Sequence, residues 1–201
     1  MNLTASELRH AFGLSGSLVT ERRMGSVRVA YMVDLDDNEV GRRRARGEGA
    51  ILDRGTINAL WEVPSDIDYP SSALPSWVIE RVRKVQGVEA GNIVRRAVHP
   101  PLVIRGAVAT GARLRTLLEV LGPLSSVCPT ASIVASAPAP HDHSFLQAKQ
   151  FGVGVAVAIG DDLDVLVRPQ VHAPELGAYQ WHLAELVYET IVNAGVIRPT
   201  R

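Results

Sequence analysis

Four of the six histidines lie in the C-terminal half of the chain: His141 and His143 on either side of Asp142, then His172, then His182 with Glu185 three residues on. Residues i and i+3 share one side of a helix, so His182 and Glu185 have the ligand types and spacing of half a zinc or manganese site. No recognised metal motif joins them to the other histidines, and Asp142 or His143 at a helix start is explained by capping. No metal and no other cofactor is therefore assigned, and convergence of these five residues is left to the fold. A second cluster, Arg42, Arg43, Arg44 and Arg46, has phosphate-binding chemistry, each contact adding to a salt-dependent affinity. Asp34, Asp36, Asp37 and Glu39 just upstream cancel much of that field, which favours a solvated surface loop. Ser125, Ser126 and Cys128 lack the context of a nucleophile elbow, and the glycine-rich run from Phe151 has no Gly-Lys-Ser/Thr to make it a phosphate loop. With Cys128 the single cysteine, neither an intrachain disulfide nor a cysteine zinc cage is open to the chain.

The elements that would position these groups follow from capping and periodicity. Thr4-Ala5-Ser6-Glu7 spells a capping box, and Leu8, Ala11 and Phe12 continue it as a helix. Gly13-Leu14 interrupts that helix, Ser15 offers a second N-cap, and a short second helix is expected through Arg23. Val27, Val29, Tyr31 and Val33 then alternate as a strand, and Gly41 to Gly47 reads as a basic loop or helix start. The proline-punctuated stretch from Trp61 to Pro101 leaves room for one helix, Ser76 to Gln86. Beyond it, apolar runs alternate with helices: Leu102 to Ala109, a helix from about Ala112 to Leu121, Ala131 to Ala137, and a helix from about His143 to Phe151. Strands Val153 to Ile159 and Leu163 to Arg168 follow as a hairpin across Gly160-Asp161-Asp162, then a helix from about Glu175 to Asn193. The fold class is α/β, with residues 1–60 as one unit, 61–100 as a connection carrying one helix, and 101–201 as a layered α/β domain with a mixed sheet.

Leu8-x3-Phe12-Gly13-Leu14-Ser15-x3-Val19 resembles the winged helix-turn-helix pattern, the strand from Gly25 to Val33 standing as its wing. That resemblance implies binding to double-stranded DNA, with Ser17, Thr20 and Arg23 facing bases, Ser15 and Arg22 suiting phosphates, and Arg28 on the wing. Arg42, Arg43 and Arg44 would add backbone contacts. Arg9 departs from the pattern, which has a small residue there. A more distant likeness is to the winged N-terminal unit of AbiEi-type antitoxins. Residues 125–170 resemble the later part of a restriction-endonuclease-like domain, through Ala131 to Ala137, the helix with Gln147-Ala148-Lys149-Gln150-Phe151-Gly152, the strand Val153 to Val157, and Val167-Arg168-Pro169. Such nucleases use an aspartate followed by Glu-x-Lys to hold a metal. Here Pro129-Thr130 and Ala135-Ser136-Ala137 stand in those places, which implies a catalytically vacant binding or assembly module.

The composition is that of a globular protein: 201 residues, 46% hydrophobic, with 21 basic and 21 acidic side chains. Phe151 to Gly160, the longest uncharged apolar run, is about half of what a bilayer crossing needs, and Met1 to His10 lacks the stretches of a signal peptide, so a cytoplasmic protein is expected. In the last helix Leu176, Tyr179, Leu183, Leu186, Val187 and Val192 form an apolar stripe, with Trp181, Tyr188 and Ile191 off it. That surplus face predicts a homodimer. The expected function is that of a DNA-binding transcriptional regulator or repressor of antitoxin or mobile-element type, with a protein partner also compatible. The alternatives are a metal-dependent hydrolase or nuclease using the C-terminal histidines and acids, and a non-catalytic assembly module.

Overall fold

A computed structural model of the chain describes residues 4–160, 162–170 and 177–196. In chain order its elements are α1 (Ala5–Phe12), β1 (Leu18–Met24), β2 (Val27–Leu35), α2 (Asp37–Arg46), α3 (Arg54–Glu62), β3 (Tyr69–Pro70), α4 (Ser76–Val82), β4 (Val88–Ala90), β5 (Ile93–Arg96) and β6 (Leu102–Gly111). They continue with α5 (Leu114–Leu124), β7 (Thr130–Val134), α6 (His143–Gln150), β8 (Gly154–Ile159), β9 (Asp162–Val167) and α7 (Ala178–Asn193). The α/β class and the mixed sheet of the sequence reading are both present. The chain divides into two compact units, each made of two separate stretches: Met1–Asp34 with Val103–Glu175, and Leu35–Leu102 with Leu176–Arg201. The boundaries expected near residues 60 and 100 both fall inside the second unit.

The first unit is a six-stranded sheet of order β1-β2-β6-β7-β8-β9. β6, β7 and β8 run parallel, joined by the crossover helices α5 and α6, and β9 returns antiparallel as a hairpin. Every residue of β7 is buried, as a strand covered on both faces requires. One covering layer is α1, whose Leu8, Ala11 and Phe12 pack with Met32, Val108, Ala131, Ile133 and Ala156. The capping box at its start forms as spelled: the Glu7 amide donates to Thr4 Oγ1 at 3.3 Å and the Thr4 amide to Glu7 Oε2 at 2.7 Å. Those bonds hold the Glu7 carboxyl below its usual value.

The second helix of the expected helix-turn-helix does not form. Leu18–Met24 is a strand, paired residue by residue with β2 from Leu18↔Val33 to Met24↔Val27. Gly16 explains the change of course, since its φ of 130° is open to glycine, and a Cβ there would sit 3.0 Å from Met32 Cβ and the Val33 amide nitrogen. The apolar face that a recognition helix would share with α1 is supplied instead by β2, where Ala30 and Met32 are buried as well as Val29, Tyr31 and Val33.

In the second unit, Ile57, Leu60, Val63, Val78, Val82, Val94, Val98 and Trp181 make the core beside a three-stranded sheet of order β3-β5-β4. Trp181, Tyr188 and Ile191 are 2%, 1% and 0% exposed, whereas Tyr179 of the expected inward stripe is 42% exposed. The face proposed for a homodimer is thus the inner face of α7, and the dimer expectation built on it falls. Arg43, expected on DNA, is 1% exposed. Its Nη1 and Nη2 donate to Glu185 Oε2 and Oε1 at 2.6 and 2.7 Å, and its Nε donates to Glu39 at 2.7 Å. The Trp181 indole N–H and the Ile51 amide complete the Glu185 carboxylate. Removing one partner of such a buried pair strands the other, at about 3–5 kcal/mol. Glu185→Ala should therefore lower stability by about that much in urea unfolding. Arg43→Met combined with Glu185→Leu should lie closer to wild type than Glu185→Ala does, because Glu39 keeps Arg42.

In the sheet unit, Asp34 accepts from Arg105 Nε at 2.8 Å and from the Ser17 amide at 2.9 Å. The Arg105 bond is the main cause of a carboxyl pKa below its ordinary value. A depressed carboxylate contributes stability above its unfolded pKa and loses it as pH falls through the folded one. The stability gap between wild type and Asp34→Asn in urea should accordingly be present at pH 7 and close on acidification below the ordinary aspartate range.

Candidate nucleic-acid interface

The directions of the strands decide which side chains meet. Asp34 near the end of β2 touches Arg105 early in β6, while Ser26 and Val27 at the start of β2 line a cleft with Thr110 and Gly111 at the end of β6. The two strands therefore run in opposite senses. The β1–β2 turn consequently lies at the same end of the sheet as the carboxyl ends of β6 and β7. In sheets with parallel strands this end carries loops free of ladder duty, where ligands bind. Arg23 and Arg28 reach it on the ribbon, and Arg113 and Arg115 reach it where β6 turns into α5.

Two clefts lie along this end and share Ala112 and Arg113. One, of about 250 Å³, lies between the ribbon turn and α5, with the hydroxyl residues Ser26, Thr110 and Thr116 on its walls. The other, of about 290 Å³, lies beyond α5, with Arg115, Ser136, Asp142 and Ser144 on its walls. Asp142 is engaged as the α6 cap, accepting from the Ser144 and Phe145 amides. The arginines are only loosely compensated: Arg28 stands 3.8 Å from Glu21 and Arg115 3.6 Å from Glu119, and Arg23 and Arg113 have no ion-pair partner among the described residues.

The sequence-predicted residues divide sharply. Arg23 and Arg28 come together, facing each other across the ribbon. Thr20 and Arg22 are half-buried on β1 opposite Tyr31 and Val29, so no helix presents them to a groove. Ser15 is exposed in the loop ahead of β1, and Ser17 is spent on the Val33 carbonyl and on Asp34. The Arg42–Arg44 segment is part of a helix, α2, capped by Asp36. Arg42 is taken by Glu39 at 2.8 Å and Glu48 at 2.7 Å and Arg43 is buried, which leaves Arg44 as the exposed member of the three expected on DNA. Arg113 and Arg115 were missed. The signal was present in Gly111-Ala112-Arg113-Leu114-Arg115, a basic pair exactly where an apolar run gives way to a helix.

Comparison with known proteins gives no match: no protein-family model, no curated protein and no solved structure matches the chain.

Among the described residues, the acids and histidines of the hydrolase alternative do not converge. Among the described residues no three of His, Cys, Asp and Glu are grouped as a metal ion needs. Glu185 is committed to Arg43 and Trp181, His141 and His143 are exposed around the α6 cap, and His172 lies outside the described residues. Thr130 and Ser136, read as stand-ins for nuclease acids, flank one strand, Thr130 at its start and Ser136 past its end. The two ends of the five-residue β7 are four steps, roughly 13 Å, apart at a strand's rise per residue, too far for one ion. Among the described residues no helix is long and apolar enough to cross a membrane. Trp61 and Trp77 are 41% and 46% exposed, so of the three tryptophans it is Trp181 that anchors the core.

Cys128 is buried, and burial pushes its thiol up to about 12. At pH 8 the thiolate that alkylating reagents attack is then scarce. Iodoacetamide should leave native protein unmodified while labelling one thiol in denaturant, read by intact mass.

Proposed function

We propose that the protein binds double-stranded DNA without cutting it, as a regulator, and that the contact surface is the end of the six-stranded sheet bearing Arg23, Arg28, Arg113 and Arg115. The observation that carries this reading is the gathering of four weakly compensated guanidinium groups from separate stretches of chain onto one sheet end. Arginine presents a rigid fork of donors suited to phosphate, and phosphate contacts supply most of the affinity and its salt dependence. The unit has no large net charge of its own, so the attraction is local to this end. Hydroxyls of Ser26, Thr110 and Thr116 between the arginines are donors of the kind that fix register on a sugar–phosphate backbone. A two-stranded ribbon is also narrow enough for the major groove. An intracellular place of action belongs to this proposal.

Fluorescence anisotropy with a labelled duplex tests it. Three to four neutralised phosphates give log affinity against log salt a slope of about −3 to −4. Changing Arg113 and Arg115 together to Ala should make that slope shallower by about 2. The Arg42→Ala variant, altered in a residue already paired with Glu39 and Glu48, should retain it. No binding at low salt, or binding indifferent to salt, would overturn the reading.

A further inference from the structure

The ribbon tip contains an arrangement that the free protein does not favour. Arg23 and Arg28 are directly opposite in the β1–β2 register, next to the Met24↔Val27 pair that closes on Gly25-Ser26. Residues so placed project from the same face with their Cβ atoms about 5 Å apart, and like charges there repel. Arg23 Nε donates to the Gly25 carbonyl at 3.2 Å, which holds its guanidinium at the turn with the two terminal nitrogens left to donate. Among the described residues Arg28 has Glu21 as its ion-pair partner, at 3.8 Å, with the two side chains 77% and 45% exposed. Neither guanidinium is needed for packing.

We infer that Arg23 and Arg28 form a phosphate clamp, in which one phosphate group lies between the two guanidiniums and accepts from both. An anion with several acceptor oxygens converts the cross-strand repulsion into two charge-assisted contacts. The clamp deepens the proposed DNA reading by assigning Arg23, expected from sequence to read bases, to the backbone. It rests on that reading only for the source of the phosphate, since a free phosphate and a phosphodiester present the same oxygens.

The test uses the full chain and two probes. In thermal unfolding at constant ionic strength, inorganic phosphate in place of chloride should raise the midpoint of the wild type. Arg23→Gln and Arg28→Gln should each lose that response. Arg28→Glu, which sets a carboxylate opposite Arg23, should raise the midpoint in chloride and abolish the response to phosphate. A role confined to the fold does not predict this reversal. With duplex DNA, each Gln variant should make the salt slope shallower by about 1. A phosphate response surviving in both Gln variants overturns the clamp, and so does an unchanged salt slope in variants that bind duplex as the wild type does; the DNA reading then stands on Arg113 and Arg115. An arginine-dependent phosphate response without any duplex binding supports the clamp and removes the DNA reading.

Discussion

The Arg43–Glu185 ion pair closes the second unit on itself. The two residues are 142 positions apart, and the chain between them builds the β6–β9 stretch of the sheet unit before α7 returns to the first stretch. Bringing such distant stretches together carries a loop-closure cost, which grows only slowly with length. The apolar contacts of Trp181 with the α3 and α4 core favour the return, but they do not set the rotation of α7 about its axis. The bidentate fork does, because a guanidinium and a carboxylate meet in one plane and one register. Two buried charges are costly unless each polar atom is satisfied, and here both Glu185 oxygens and all three guanidinium nitrogens of Arg43 have partners.

That network also explains why the α2 arginines misled a reading from sequence. Arginine is seldom buried, and four of them in five residues beside a run of acids look like a solvated charged surface. The acids are close in sequence because they are partners in space: Glu39 lies one helical turn before Arg43 and also grips Arg42. What the sequence could not reveal was the role of Glu185, one of two carboxylates, with Glu189, in α7. Its i, i+3 relation to His182 suggested metal chemistry, whereas its i, i+4 relation to Trp181 was the structural one. The same error inverted α7, where Trp181 and Tyr188 seemed surplus because their polar partners, Glu185 for the indole and the Arg43 guanidinium 5.3 Å from the Tyr188 ring, were out of sight.

The legible parts of the fold are those set by local chemistry. Capping at Thr4 and Asp142, the crossover alternation from β6 to β8, and the turn after Ile159 all follow from residues a few positions apart. β1 is the contrary case. Ser15 is a credible cap and residues 18–24 contain no breaker, so local signals permit a helix there. Seven consecutive pairings to β2 outweigh them, and β2 offers those pairings because it is itself fixed between β1 and β6. A segment that is neutral in its own propensities takes the structure of the neighbour that can complete it.

This outcome changes what kind of nucleic-acid surface the unit can present. A helix in a groove reads bases through side chains on one exposed stripe, and the stripe expected here would have used Ser17, Thr20 and Arg23. As part of a strand, Thr20 and Arg22 alternate with Glu21 and Arg23 between the two faces of the sheet, the first two half-buried and the second two exposed. The exposed side chains of β1 are Glu21 and Arg23, with the exposed Arg28 opposite Arg23. The ribbon is stiff because β2 behind it is buried on both faces, and the turn is short because Gly25 takes a φ of 59° that few other residues adopt. A stiff tip carrying two opposed arginines holds their separation nearly constant. It is therefore better suited to gripping a repeating backbone group than to adapting to different base edges, and any sequence preference would have to come from the loops beside it.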